Sequence, residues 1–140
     1  MAGERARLRL PRSLKDAMLA HARSRPGVEV CGLLGGMDGA ARRYYPVTNI
    51  AEAPAREFLL DPRDQIDAMR AMREKGEILL GIFHSHPASP AHPSPTDLAR
   101  AAYPDTIYVI AAPGQAGMVM NAFFYDGDAF TGIDIEITET

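Results

Sequence analysis

His84-Ser85-His86-Pro87, followed by Ser94-Pro95-Thr96-Asp97, places two imidazoles, a hydroxyl and a carboxylate within fourteen residues. That is the donor set of a catalytic zinc site, which commonly takes three protein ligands from His and Asp/Glu and leaves the fourth position to water. Such an ion brings the pKa of that water down to about 7. The histidines close an apolar run, Ile78-Leu79-Leu80-Gly81-Ile82-Phe83, which reads as a buried strand. Strand side chains repeat every second residue, so His84 and His86 are expected on one face and Ser85 on the other. Asp97 is the expected third ligand. Hydrolysis also needs a general base, and the candidate is Glu29, far upstream in Val28-Glu29-Val30-Cys31-Gly32-Leu33-Leu34-Gly35-Gly36.

Glu29 in an E-x-C-G-L-L-x-G context, with H-S-H-P and S-P-T-D at this spacing, resembles the JAMM (MPN+) metallopeptidase family, over nearly the whole chain to about Tyr125. The resemblance implies that His84, His86 and Asp97 bind zinc, that Glu29 is the general base, and that Ser94 hydrogen-bonds the developing oxyanion. Members of this family generally cut amide or isopeptide bonds after the Gly-Gly tail of ubiquitin-fold proteins. The chain is similar to the compact prokaryotic members, some of which release cysteine or another C-terminal extension from small β-grasp sulfur carriers. The partner implied is therefore a ubiquitin-like protein ending in Gly-Gly. Two alternatives stand beside it: a non-catalytic scaffold of the same fold, and a DNA-repair-associated relative, which usually carries an added helical DNA-binding region not found here.

Each residue also has a plainer reading. Two histidines at i, i+2 are a weak signal alone. Ser94 and Asp97 suit the start of a helix, Ser at N-cap, Pro95 at N1 and Asp at N3, and this capping is expected with or without a metal. Capping and ligation then compete for Asp97. A glutamate near a strand start is more often solvated than a base. Cys31, the only cysteine, excludes an intramolecular disulfide and reads as a buried apolar-strand residue that shares the face of Glu29. His92, in the same loop as the motif, could touch substrate but is expected to be mobile and solvated. His21 is expected at the core or its rim, and Ile66, Met69 and Met72 on the inner face of a helix.

A chain of 140 residues is one ordinary domain over 1–140, with 46% hydrophobic and 24% charged residues, as in globular proteins. The net charge of −3 gives no basic stripe, so no nucleic acid is expected. A zinc deaminase would need more than one cysteine. No apolar run approaches the roughly 20 residues that cross a bilayer, and with the single cysteine this points to the cytoplasm.

The elements expected are strands over 5–10, 29–35, 41–47, 57–60, 77–84, 105–112, 118–125 and 129–137, the first an edge or early strand. Helices are expected over 13–24, capped by Ser13, over 62–75, capped by Asp61, and over 96–102. Turns are expected at Pro113-Gly114 and Asp126-Gly127, and a longer hairpin loop at 36–39. The class is mixed α/β, α+β-like; the resemblance adds a curved mixed sheet flanked by helices, the JAMM/MPN (cytidine-deaminase-like) architecture, with zinc at one end. Four prolines between 87 and 95 read as a stiff bridge between the histidines and Asp97, or as an ordinary connector.

Overall fold

The computed structural model describes residues 7–139. Its elements are β1 (Arg7–Pro11), α1 (Arg12–Ser24), β2 (Cys31–Met37), β3 (Ala40–Val47), α2 (Pro62–Glu74), β4 (Ile78–Ser85), α3 (Pro95–Arg100), β5 (Thr106–Gly114), β6 (Gly117–Tyr125) and β7 (Phe130–Thr138). The class is the expected one, a curved mixed sheet with helices. Its order is β1-β3-β2-β4-β5-β6-β7, and the curvature runs to closure as a barrel. β4 is the middle strand, antiparallel to β2 and parallel to β5.

The first strand alternates as its sequence dictates, with Leu8 and Leu10 fully buried and Arg7 and Arg9 exposed. It is not an edge, however. It pairs with β7 over five residues and meets β3 at Arg9↔Ala40, so it seals the sheet. The part of that expected strand before Arg7 lies outside the described residues. Because pairing continues through Pro11, the chain turns straight from strand into α1. Ser13 is therefore already inside the first turn, and no side chain caps this helix.

Alternate faces of the strands carry two cores. Leu34, Phe83 and Val109 pack with Met18, Leu19 and Ala22 of α1. Leu33, Ile82 and Tyr108 pack with Ala68 and Met72 of α2. Ile66 departs from expectation: it is 57% exposed, whereas Ala68 and Met72 are buried. At 100° per residue, a three-residue repeat slips back by about 60° each step, so positions 66 and 72 stand about 120° apart. α2 otherwise starts as read, with Asp61 accepting from the Arg63 N–H at 2.9 Å and Pro62 in the first turn.

Three further differences matter. The segment 57–60 forms no strand; it makes one isolated bridge, Asn49↔Leu60. The β2–β3 turn is the two residues Asp38-Gly39, both at positive φ (56° and 76°), rather than a longer loop. β5 also runs through Pro113-Gly114, so the turn falls at Gln115-Ala116 instead. Gly36 sits at the irregularity in β2, where a Cβ would strike the Ala40 carbonyl.

Candidate metal centre

β4 carries the histidines to the end of the sheet's middle strand. His84 is the last but one residue of β4, and His86 follows it with its N–H on the Ala111 carbonyl at 2.8 Å. Both rings point the same way, as the two-residue repeat requires, and their Nε2 atoms are 3.2 Å apart. Ser85 turns away: its Oγ accepts from the Val30 N–H at 2.9 Å, and its own N–H donates to the Val30 carbonyl at 3.0 Å. The residue between the two histidines thus grips the residue after Glu29.

Asp97 arrives from α3. Its Oδ2 lies 3.1 Å from each histidine Nε2. The same oxygen accepts from the Ser94 N–H at 2.9 Å, while the Ser94 Oγ accepts from the Asp97 N–H at 3.0 Å. The carboxylate oxygen that serves the capping box is therefore also the one turned toward both histidines. As an acceptor from Asp97, the Ser94 oxygen keeps its own proton for another partner.

Three atoms at mutual separations of 3.1, 3.1 and 3.2 Å form a near-regular triangle of lone-pair donors. Tetrahedral zinc with bonds of about 2.0–2.1 Å spaces its ligand atoms by about 3.3 Å. His86 is preset for this. Its Nδ1 faces the Pro90 carbonyl at 2.7 Å, and a carbonyl only accepts, so Nδ1 holds the proton of the neutral ring and Nε2 presents its lone pair. His84 is oriented by stacking on Phe58, with ring centroids 4.4 Å apart and 24° between planes; its Nδ1 is buried without a partner.

Glu29 completes the cluster. One ligand atom each from Glu29, His84, His86 and Asp97 all lie within 4.8 Å of one another, and all four residues are buried. The Glu29 residue is 3% exposed, and its Oε1 has no hydrogen-bond partner among the described residues. Burial pushes its carboxyl up to about 7; the neighbouring His86 opposes the shift, and the Asp97 and Glu57 charges add to it. Burial also lowers the His84 pKa, against the pull of Asp97. On His86 burial works downward too, but the Asp97 and Pro90 hydrogen bonds outweigh it and the net shift is upward. On Asp97, burial is overcome by the two histidines, which hold the carboxyl far below its usual range. A buried acid with unspent hydrogen-bonding capacity, beside three converging donors, fits a cation better than it fits a folded core.

The family model for prokaryotic homologs of the JAB domain matches residues 11–125. The chain belongs to that family, as a compact JAMM/MPN member. A desampylase of Haloferax volcanii is 35% identical over 139 residues, covering 94% of this chain and 97% of the relative. A CysO-cysteine peptidase of Mycobacterium tuberculosis is 41% identical over 101 residues, covering 71% of this chain and 68% of the relative. Among solved structures, a protein from Desulfitobacterium hafniense superposes with a TM-score of 0.85 at 37% identity, covering 95% of this chain and 94% of that one.

The remaining expectations divide. Cys31 is buried in the α2-side core and its thiol donates to the Val47 carbonyl at 3.4 Å; burial, with the Glu29 charge adding, pushes it up to about 12, an inert thiol. His21 sits at the rim, Nδ1 to the Tyr44 hydroxyl at 2.6 Å. His92 is exposed beside Phe123. The proline-rich connector is pinned where Pro90 meets His86 and where Asn121 donates to the Ala91 carbonyl at 3.0 Å. Phe58, Asn49 and the Pro90 carbonyl have no motif in the sequence; only contact with His84, Glu29 and His86 respectively marks them. Beside Asp97 opens a cleft of about 230 Å³, lined by Phe58, Leu60, Thr96, Tyr103 and Tyr108 and rimmed by the Glu57–Arg100 pair at 3.1 Å. Among the described residues, no helix is long and apolar enough to cross a membrane.

Proposed function

We propose that this chain, as one catalytic domain, is a zinc-dependent peptidase that hydrolyses the amide bond after the Gly-Gly tail of a ubiquitin-like β-grasp protein, a sulfur carrier, releasing cysteine or another C-terminal extension. That it is a JAMM-type metallopeptidase follows from its family and from relatives that are named peptidases and desampylases. The observation that carries the catalytic reading is the unpartnered, buried Glu29 carboxyl facing His84, His86 and Asp97.

His84, His86 and Asp97 would hold the zinc, which when bound supplies Lewis-acid polarisation of the scissile carbonyl and acidifies water. Glu29 takes the proton from the attacking water and later delivers it to the departing amine; its burial within 4.8 Å of the three donors places it for both tasks. The Ser94 hydroxyl donates to the oxygen that gains negative charge. The Asp97 N–H fixes the position of Ser94 Oγ, so donor and ligand move as one unit. The cleft beside Asp97 accepts an extended tail, and glycines, lacking Cβ, let backbone pass close to its Phe58 and Tyr108 walls.

A non-catalytic scaffold has no use for a buried acid left without a partner, since that acid costs stability. The reducing cytoplasm suits a lone buried thiol. The test is incubation of the zinc-loaded protein with a Gly-Gly-tailed β-grasp carrier extended by one residue, read by intact mass. Loss of that residue, stopped by a chelator, is expected; an unchanged mass across a panel of such carriers would overturn the reading.

A further inference from the structure

Asn49 uses its whole hydrogen-bonding capacity on one task. Its Nδ2 donates to the Glu29 carbonyl at 2.9 Å and to the Glu57 carbonyl at 3.1 Å. Its Oδ1 accepts from the Ala51 N–H and the Leu59 N–H, each at 3.0 Å. A side-chain amide has two donor hydrogens and two acceptor lone pairs, and all four are spent. The partners also fix which end is nitrogen, because carbonyls only accept and N–H groups only donate.

Glu29 needs such a holder. It precedes β2, so its backbone has no ladder partner in the sheet. Its N–H goes to the Pro54 carbonyl at 2.7 Å and its carbonyl goes to Asn49. On the other side, Val30 is fixed to Ser85 between the two histidines. The main chain of the acid is thus suspended between β4 and the excursion 49–60. That excursion also carries Phe58, stacked on His84. An asparagine that served only its own turn would need only the bond to Ala51, two residues on.

We propose that Asn49 is a positioning residue for the general base: its amide holds the Glu29 carbonyl, and through it sets where the Glu29 carboxyl stands relative to His84, His86 and Asp97. The role deepens the proposed function and rests on Glu29 acting as the base. The Asn49 amide hydrogen-bonds only to backbone groups, of Glu29, Glu57, Ala51 and Leu59, so it acts through the main chain.

The experiment compares Asn49→Asp and Asn49→Ala with the parent, all zinc-loaded, on an extended Gly-Gly carrier. Asn49→Asp keeps the two acceptor bonds to Ala51 and Leu59 and loses both donors. Turnover, KM, zinc content and amide exchange at Leu59 are measured together. Both variants are expected to lose about 10²-fold in kcat, the effect of misplacing a reacting group by about 1 Å. KM is expected to stay within about twofold and zinc at the parent stoichiometry, and in Asn49→Asp the Leu59 amide stays protected. Parent-like kcat in Asn49→Asp would overturn the role, as would a loss carried wholly by KM, which would make the excursion a substrate wall. A loss of zinc would overturn it as well. Should Asn49→Asp not fold, Asn49→Ser carries the same comparison. A parent that cleaves no carrier sinks the functional reading and this one together; a cleaving parent with unimpaired variants sinks only this one.

Discussion

Glu29 and Glu77 are both buried glutamates, each just ahead of a strand of the β2–β4 pair, at opposite ends of it. At Glu77 every need is met: Arg43 Nε stands 3.0 Å from one carboxylate oxygen and the Tyr45 hydroxyl donates to the other at 2.8 Å. At Glu29 one oxygen is left without a partner. Burial alone therefore does not separate the two acids. Cavity size misleads in the same way, since the pocket near Ile78, Asp105 and Phe124 at the Glu77 end is about 370 Å³, larger than the cleft beside Asp97, yet among the described residues it holds no cluster of convergent donors. What distinguishes the ends is unspent hydrogen-bonding capacity held in a desolvated place.

Loss of Asp97 is the most severe test of the Glu29 end. Asp97→Ala is expected to abolish both zinc binding and turnover, as metal analysis and the mass assay would read; retained zinc would remove Asp97 from the site. Next, Glu29→Gln should keep zinc and lower kcat by about 10²–10⁴-fold, the usual weight of a general acid–base group. Ser94→Ala should lower kcat by about 10²–10³-fold with zinc retained, and losing the cap should cost about 1 kcal/mol in urea denaturation. At the other end, Glu77→Gln should leave kcat untouched while destabilising the fold by about 1–3 kcal/mol, because Arg43 and Tyr45 lose an anionic acceptor. A fall in turnover there would erase the distinction between the two acids.

The smallest effect is in pH. The Glu29 carboxyl sits at about 7 against an ordinary value of 4.5, so between those values the folded, metal-free protein binds more protons than the unfolded chain. Its contribution to stability is fully present below about 4.5 and is lost as pH rises through 7. Glu29→Gln removes that loss. The metal-free variant should therefore gain on the metal-free parent by about 2–3 kcal/mol between pH 5 and 8, seen in parallel denaturation curves. A constant difference across that range would mean that Glu29 titrates like a solvated acid.

Much of this was legible from local pattern. The alternation of β1, the Asp61-Pro62 start of α2 and the Ser94–Asp97 capping box are set by neighbours within a few residues, and they stand as expected. Two turns fell a residue or two from where they were expected, and three other readings failed because they needed long-range partners. Segment 57–60 lacks a ladder because the Asn49 side chain occupies the Leu59 N–H. Ser13 caps nothing because β7 extends the pairing of β1 to Pro11. Ile66 is outside because only packing on the sheet chooses the buried arc of α2.

The order of residues alone determined the donor set, since His84 and His86 on one strand face and Asp97 in the first turn of a capped helix follow from backbone periods of two and of 3.6. Whether Glu29 is a solvated charge or a desolvated acid facing the histidines was decided by the fold. Its desolvation comes from surroundings supplied by other parts of the chain, its carbonyl is held by an amide twenty residues away, and its distance to the histidines is fixed through Ser85. Electrostatic environment belongs to the neighbours of a group in space, and no periodicity in the sequence encodes them.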